Sequence, residues 1–215
     1  MFIEQLCKTM LDFKNYFDEV YVINLDRRPE RYESFLSEMK KYDLNGVTRY
    51  SAIDGSTLVN NTSLLFGELG VLLTHHNIIK ECMVRNLSNV LILEDDVQFS
   101  DEINNVSEYI SKIPNDWDFI YFGGNHKYGR VPEVINDKTI KLNYTVALQC
   151  VAIKNTMFEI IDSLLTKQKK QVDTYYAELH DRFNAYGFQP NMAKQKIGFS
   201  DIQNRVVDYN MYFND

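Results

Sequence analysis

Basic charge in excess, paired cysteines and long apolar runs are all missing from this sequence. Its 215 residues carry 23 Lys and Arg against 30 Asp and Glu, a formal net charge of −7. A chain this acidic lacks the broad basic surface that nucleic acid requires, so no nucleic-acid partner is expected. A phosphate-bearing ligand would need a local basic cluster or a metal ion. The three cysteines, Cys7, Cys82 and Cys150, are odd in number and far apart. That argues against a disulfide framework or a thiolate zinc site and favours a reducing compartment. No apolar run is long enough to span a membrane. In the first seventeen residues, "MFIEQLCKTMLDFKNYF", Glu4, Lys8, Asp12 and Lys14 interrupt any signal-peptide h-region. A cytoplasmic protein is expected, in the host cytoplasm if the source is viral. The Lys-, Asn-, Ile- and Tyr-rich composition suits an AT-rich viral or bacterial genome. Repeats, linkers and low-complexity segments are absent too, so one domain over 1–215 is expected.

Hydrophobic patterning fills in the elements. Phe2, Leu6, Met10 and Phe13 recur at helical spacing and predict an amphipathic helix over 1–17. "VYVINL" (20–25) is a buried strand, and Pro29 suits the first turn of a helix after it. Residues 48–55 read as a short strand and a turn. Leu69, Leu72, Leu73, His76, Ile79 and Met83 keep a 3.6-residue period and predict a long buried helix over 67–85. Residues 90–93 form another strand. Ser100 is placed to cap a helix reaching about Ile113. "WDFIYFGG" (117–124) is a strand closed by glycines, 131–142 a hairpin turning at Asn136–Asp137, and "TVALQCVAI" (145–153) a strand. Helices are predicted over 155–166 and 173–186, and 206–215 is an aromatic tail. The alternation of strand and helix predicts an α/β domain with a mixed, mostly parallel central sheet flanked by helices.

Two charged constellations stand out. Glu94, Asp95 and Asp96 follow the strand 90–93, at the end of a sheet where α/β ligands gather. Neighbouring carboxylates repel one another, and Mg²⁺ or Mn²⁺ would relieve that repulsion with hard oxygen ligands. Alternate residues of an extended chain share a side, so Glu94 and Asp96 would face the ion together. A solvated acidic turn accounts for the tripeptide equally well. "NLDRRPER" (24–31) places Arg27, Arg28 and Arg31 directly after a strand, where guanidinium forks and a helix N-terminus suit phosphate oxygens. Arginines on a solvated helix face are the alternative. Together the acidic and basic loops imply a metal–diphosphate ligand.

"VYVINLDRRPERYESF", "GELGVLLTHHNIIKE", "VLILEDDVQF", "WDFIYFGG" and "QPNMAKQKIGFSDIQ" resemble, in order, the successive blocks of glycosyltransferase family 25. The resemblance covers about 18–205. That family includes lipooligosaccharide galactosyltransferases of lipopolysaccharide biosynthesis and collagen hydroxylysine galactosyltransferases. The resemblance implies a GT-A-like, Rossmann-like fold, a UDP-sugar donor (UDP-galactose or UDP-glucose), Mn²⁺ or Mg²⁺, and transfer with inversion to a hydroxyl of a glycan or protein. It makes the acidic triplet a DXD-type motif, with Asp96 as direct metal ligand and Glu94 and Asp95 on the metal or the donor. It places Asn24, Arg27, Arg28 and Arg31 at the nucleotide. Glu68, Thr74 and His75 match a "GE.G…SH" block, where His75 either touches the donor or is a buried histidine bonded to Glu68. The strand 145–155 departs from the family's pattern, which leaves the acceptor open.

Inverting transfer needs a base on the acceptor side. Asp173, in "QVDTYY", matches the family position for it; an ordinary helix N-cap is the alternative. Tyr176 and His180 lie near the same face, as sugar contacts or as core. Asp201, in "FSDIQ", is a second metal ligand, an acceptor contact or a turn cap. Trp117 reads as core packing. A homodimer is allowed but not indicated. Two rival readings are an idle GT-A-like module that binds nucleotide or glycan and a metal-dependent phosphoesterase. The latter lacks the clustered His and Asp ligands it would need.

Overall fold

The computed structural model describes residues 11–126, 128–203 and 205–208. Its centre is an eight-stranded sheet in the order Thr48–Ser51, Glu19–Asn24, Asn89–Glu94, Cys150–Lys154, Phe119–Tyr121, Ala185–Phe188, Thr139–Lys141, Glu133–Val134. Side-chain alternation splits the central strands between two cores. Tyr21, Ile23, Ile92, Tyr121 and Val151 face the helices Phe66–Val84, Phe158–Leu165 and Val172–Leu179. Val20, Val22, Leu91, Leu93 and Ile120 face the helix Pro29–Lys41, together with Phe13, Ile103 and Tyr109. All six residues of Glu19–Asn24 are buried because the sheet is covered on both faces.

The sheet is mixed, as expected, but parallel pairings are three of its seven. The strand Cys150–Lys154 lies between Asn89–Glu94 and Phe119–Tyr121 and runs antiparallel to both. Its start therefore sits beside the carboxyl ends of Asn89–Glu94, Glu19–Asn24 and Phe119–Tyr121. That edge of the sheet holds the two cavities described below.

Several local expectations give way to tertiary structure. Over 11–17 there is no helix: Leu11–Asp12 pairs with Leu44–Asn45, and the Asp12 carboxylate caps a 3-10 turn at Phe13–Asn15. The rest of that predicted helix, and most of the aromatic tail, fall outside the described residues. Ser100 is no side-chain cap; its hydroxyl donates to the carbonyls of Asn191 and Met192, and a 3-10 turn precedes a short helix at Val106–Ser111. The predicted helix 173–186 ends at Leu179, and Ala185–Phe188 is a strand between Phe119–Tyr121 and Thr139–Lys141. Tyr186 and Phe188 belong to the core on the far side of the sheet, which one continuous helix could not reach. The predicted strand 145–153 is regular only from Cys150. Before it the chain bends away through Ala147, at φ +79°.

Candidate functional site

Two adjoining cavities open at the carboxyl end of the sheet. The smaller, about 160 Å³, is lined by Arg27, Arg31, Asp54, Glu94, Asp95, Asp96 and Asp201 among others. The larger, about 490 Å³, is lined by Glu68, Glu94, Asn125, Tyr144, Gln149 and Asp173 among others. Glu94, Val71, Gln195, Ser200 and Ile202 line both, so they form the partition.

The acidic triplet ends the strand Asn89–Glu94 and turns into Val97–Phe99. That turn breaks the alternation expected of an extended chain, and all three carboxylates line the smaller cavity. Asp95 is pinned: the Asn24 amide donates to it at 2.7 Å, and the Arg31 guanidinium contacts its other oxygen. Asn24 in turn donates to the Arg28 carbonyl and accepts from Arg49, so it fixes the loop without lining either cavity. Asp96 accepts from Arg31 at 2.9 Å and from the Gln195 amide at 3.0 Å, both on Oδ2. Its Oδ1 is buried with no partner.

The arginines converge on one carboxylate. Arg27, Arg28 and Arg31 reach Asp201 at 2.8, 2.5 and 3.3 Å, and Arg27 also holds Asp54 at 2.6 Å. Asp201 is thus an ion-pair partner of the basic block, rather than a turn cap. Arg28 lines neither cavity and braces Asp201 and Glu30 from behind. Asp54, which no sequence motif marks, is brought in by backbone contact. A Cβ on Gly70 would lie 2.6 Å from the Ile53 carbonyl and 2.8 Å from the Gly55 nitrogen. Thr74 accepts from the Ile53 N–H at 2.9 Å, so the "GELG…T" block seats the loop carrying Asp54.

These contacts set the charges. Enclosure would raise the Asp201 carboxyl, but Arg27 and Arg28 outweigh it and hold it below the usual range. Burial would lower the Arg31 pKa, and the carboxylates of Asp96, Asp95, Glu94 and Asp201 raise it instead. Burial first, then Asp96 and Asp95, pushes the Glu94 carboxyl well above its ordinary value, against the pull of Arg31. Asp54, Glu94, Asp95, Asp96 and Asp201 face Arg27 and Arg31 in the lining, with Arg28 on Asp201 from behind, so acids and arginines are crowded into one small space. Among the described residues, no three His, Cys, Asp or Glu side chains converge on a metal position. One or two carboxylates with substrate oxygens are nevertheless an ordinary set for Mg²⁺ or Mn²⁺. The partnerless Asp96 Oδ1 beside Glu94 fits that set.

On the other side, Asp173 is the second residue of the helix Val172–Leu179, whose N-cap is Gln171. It is therefore not the N-cap. Burial raises its carboxyl, while the N–H groups of Thr174 (2.7 Å) and Ala147 pull the other way. The positive φ of Ala147 belongs to the bend that delivers that second N–H. Glu68 reaches back to the Leu65 N–H at 2.8 Å and also accepts from Gln171.

His75 touches neither Glu68 nor a cavity. It is fully buried, 3.2 Å from the Tyr176 hydroxyl, and burial pushes it down to about 3. Its place on the inward stripe of the helix Phe66–Val84 makes it core. His180 and Tyr176 are core as well, His180 lying 3.2 Å from the Tyr121 hydroxyl. Trp117 packs at the edge of the core with Lys154 over its ring.

A family model described as glycosyltransferase family 25 (LPS biosynthesis protein) matches residues 17–208. The chain belongs to this family. Human inactive glycosyltransferase 25 family member 3 is 32% identical over 130 residues, 50% of this chain and 22% of that protein. Mouse procollagen galactosyltransferase 2 is 32% identical over 142 residues, 54% of this chain and 22% of that protein. The chain thus matches about a fifth of the length of these family members. Among solved structures, A197 from STIV overlaps 92% of this chain and 94% of its own at TM-score 0.47 and 12% identity. A glycosyltransferase involved in glycosylation of the major capsid of PBCV-1 overlaps 71% and 66% at TM-score 0.44 and 10% identity. Overlaps this loose add nothing to the family assignment. No helix among the described residues is long and apolar enough to cross a membrane.

Proposed function

We propose that this family 25 glycosyltransferase moves a hexose, galactose or glucose, from a UDP-sugar to a hydroxyl of a glycan or protein acceptor, with inversion. The observation that carries the reading is the partition: Glu94 stands between a cavity of arginines and acids and a cavity holding an enclosed carboxylate. The smaller side suits a nucleotide diphosphate, with Arg27 and Arg31 as donors to its oxygens. Asp96 and Glu94 would hold a divalent cation, which supplies positive charge to the departing diphosphate. Asp95 and Asn24 keep Arg31 and the strand ends in register. Asp173 lies on the acceptor side, and its raised pKa makes it a stronger base for the acceptor hydroxyl proton. Incubation with Mn²⁺, a panel of UDP-sugars and glycan or hydroxylysine acceptors should release UDP with one donor. No release with any combination sinks the reading.

A second reading, an idle module that binds nucleotide or glycan without turnover, has one observation in its favour. All three arginines of the basic block are already engaged by Asp201, so a diphosphate must displace that carboxylate. Some relatives also carry the name inactive. UDP binding without sugar transfer would support it.

A further inference from the structure

Two buried oxygens, one on each side of the partition, have no hydrogen-bond partner: Asp96 Oδ1 in the smaller cavity's lining and Gln149 Oε1 in the larger's. A buried acceptor left alone is costly, so such atoms call for a reason. Gln149 is 3% exposed, yet it lines the larger cavity. The antiparallel register that sets Cys150 against Leu93 puts Gln149 directly across from Glu94. The Glu94 N–H donates to the Gln149 carbonyl at 3.0 Å, which closes that pair.

The orientation of both amides follows from chemistry. Asp96 Oδ2 is a carboxylate oxygen and only accepts, so Gln195 must present its NH₂ there, at 3.0 Å. The Gln195 oxygen is then turned to Gln149, whose NH₂ donates to it at 3.3 Å. That leaves Gln149 Oε1 as a free acceptor. Gln195 thereby ties together two side chains that each keep one oxygen unmet, next to Glu94. Oxygen-only sets of this kind, carboxylates with an amide carbonyl, suit hard divalent cations.

We propose that Gln149 is a further ligand of the divalent cation, its amide oxygen joining Glu94 and Asp96 Oδ1, with Gln195 as the residue that positions both. The inference rests on the cation reading above and can fail separately from it. The test is Mn²⁺ binding to the full chain, with and without UDP, followed by the EPR signal of free Mn²⁺. Gln149→Met keeps the side-chain length and removes the oxygen. It should weaken Mn²⁺ affinity about 10-fold or more, while Gln149→Glu should bind at least as tightly as wild type. Thermal unfolding without metal serves as the check on folding. If Gln149→Met does not fold, Gln149→Glu decides: a metal-induced rise in Tm at least as large as that of wild type is expected, and a smaller one overturns the proposal. Equal Mn²⁺ affinity for wild type and Gln149→Met also overturns it, as does lost stability with unchanged affinity, the mark of a bound water in that place. Failure of wild type to take up Mn²⁺ overturns both this proposal and the cation reading.

Discussion

Around the smaller cavity, charge is held in pairs: Arg27 on Asp54 and Asp201, Arg31 on Asp95, Asp96 and Asp201. Around the larger cavity, Asp173 has no ion pair among the described residues and is held by backbone N–H groups. The first arrangement can exchange one set of charges for another, a carboxylate for a diphosphate, with little net desolvation. The second keeps a carboxylate out of water without a countercharge, which raises its proton affinity. The transfer proposed above, with a charged donor and a neutral hydroxyl to deprotonate, would use one site of each kind.

The sharpest way to break this comparison is Asp173→Asn. Turnover should fall roughly 10²–10⁴-fold, as for a lost general base. UDP affinity, set on the other side of Glu94, should stay within about twofold of wild type. Steady-state kinetics with the active donor and calorimetry with UDP separate the two effects. Arg31→Met attacks the paired side. It strands Asp95 and Asp96, which are largely enclosed, and should destabilise the fold by about 3 kcal/mol. A urea midpoint that does not move would show that the carboxylates are hydrated rather than paired.

The wall behind the larger cavity gives a pH test. Burial pushes His75 and His180 down to about 3 and His126 to about 4. In the unfolded chain histidine titrates near ~6.5, so below that pH the unfolded state binds the extra protons. These groups therefore stabilise the fold fully above about pH 6.5, and that contribution is lost as the pH falls toward their folded values. Each contributes a slope of about 1.4 kcal/mol per pH unit in that window. His75→Gln should flatten the fall in urea stability between pH 6.5 and 4.5 by one such share. An unchanged slope would mean that His75 is already protonated in the fold. The smallest effect concerns the bend at Ala147. Ala147→Gly should relieve the positive φ and gain about 1 kcal/mol in thermal unfolding. A loss would mean that the alanine methyl is packed.

Much of this architecture was legible in the sequence, for identifiable reasons. The strands at 19–24 and 89–94 carry unbroken apolar runs, 20–23 and 90–93, buried on both faces, and the helix 66–84 buries Leu69, Leu72, His76 and Ile79 at the spacing read from the sequence. Their ends place the arginine and acidic blocks together without any knowledge of distant contacts. What was not legible depends on pairings across the chain. Ala185–Phe188 looks helical until Phe119–Tyr121 and Thr139–Lys141 are set on either side of it. Gln149 gains a role only from its register against Glu94, and Gln195 only from contact with Asp96 at a separation of 99 residues. His75 sits in a family block but on the inward stripe, and burial decides for the core.

The division of labour across Glu94 is tested most directly by titrating UDP with Mn²⁺ into Asp96→Asn and Asp173→Asn side by side in a calorimeter. Asp96→Asn should lose UDP affinity by about 10-fold or more, and Asp173→Asn should bind UDP as wild type does. Equal losses in both, or a loss confined to Asp173→Asn, would contradict a donor side built on Asp96 and an acceptor side built on Asp173.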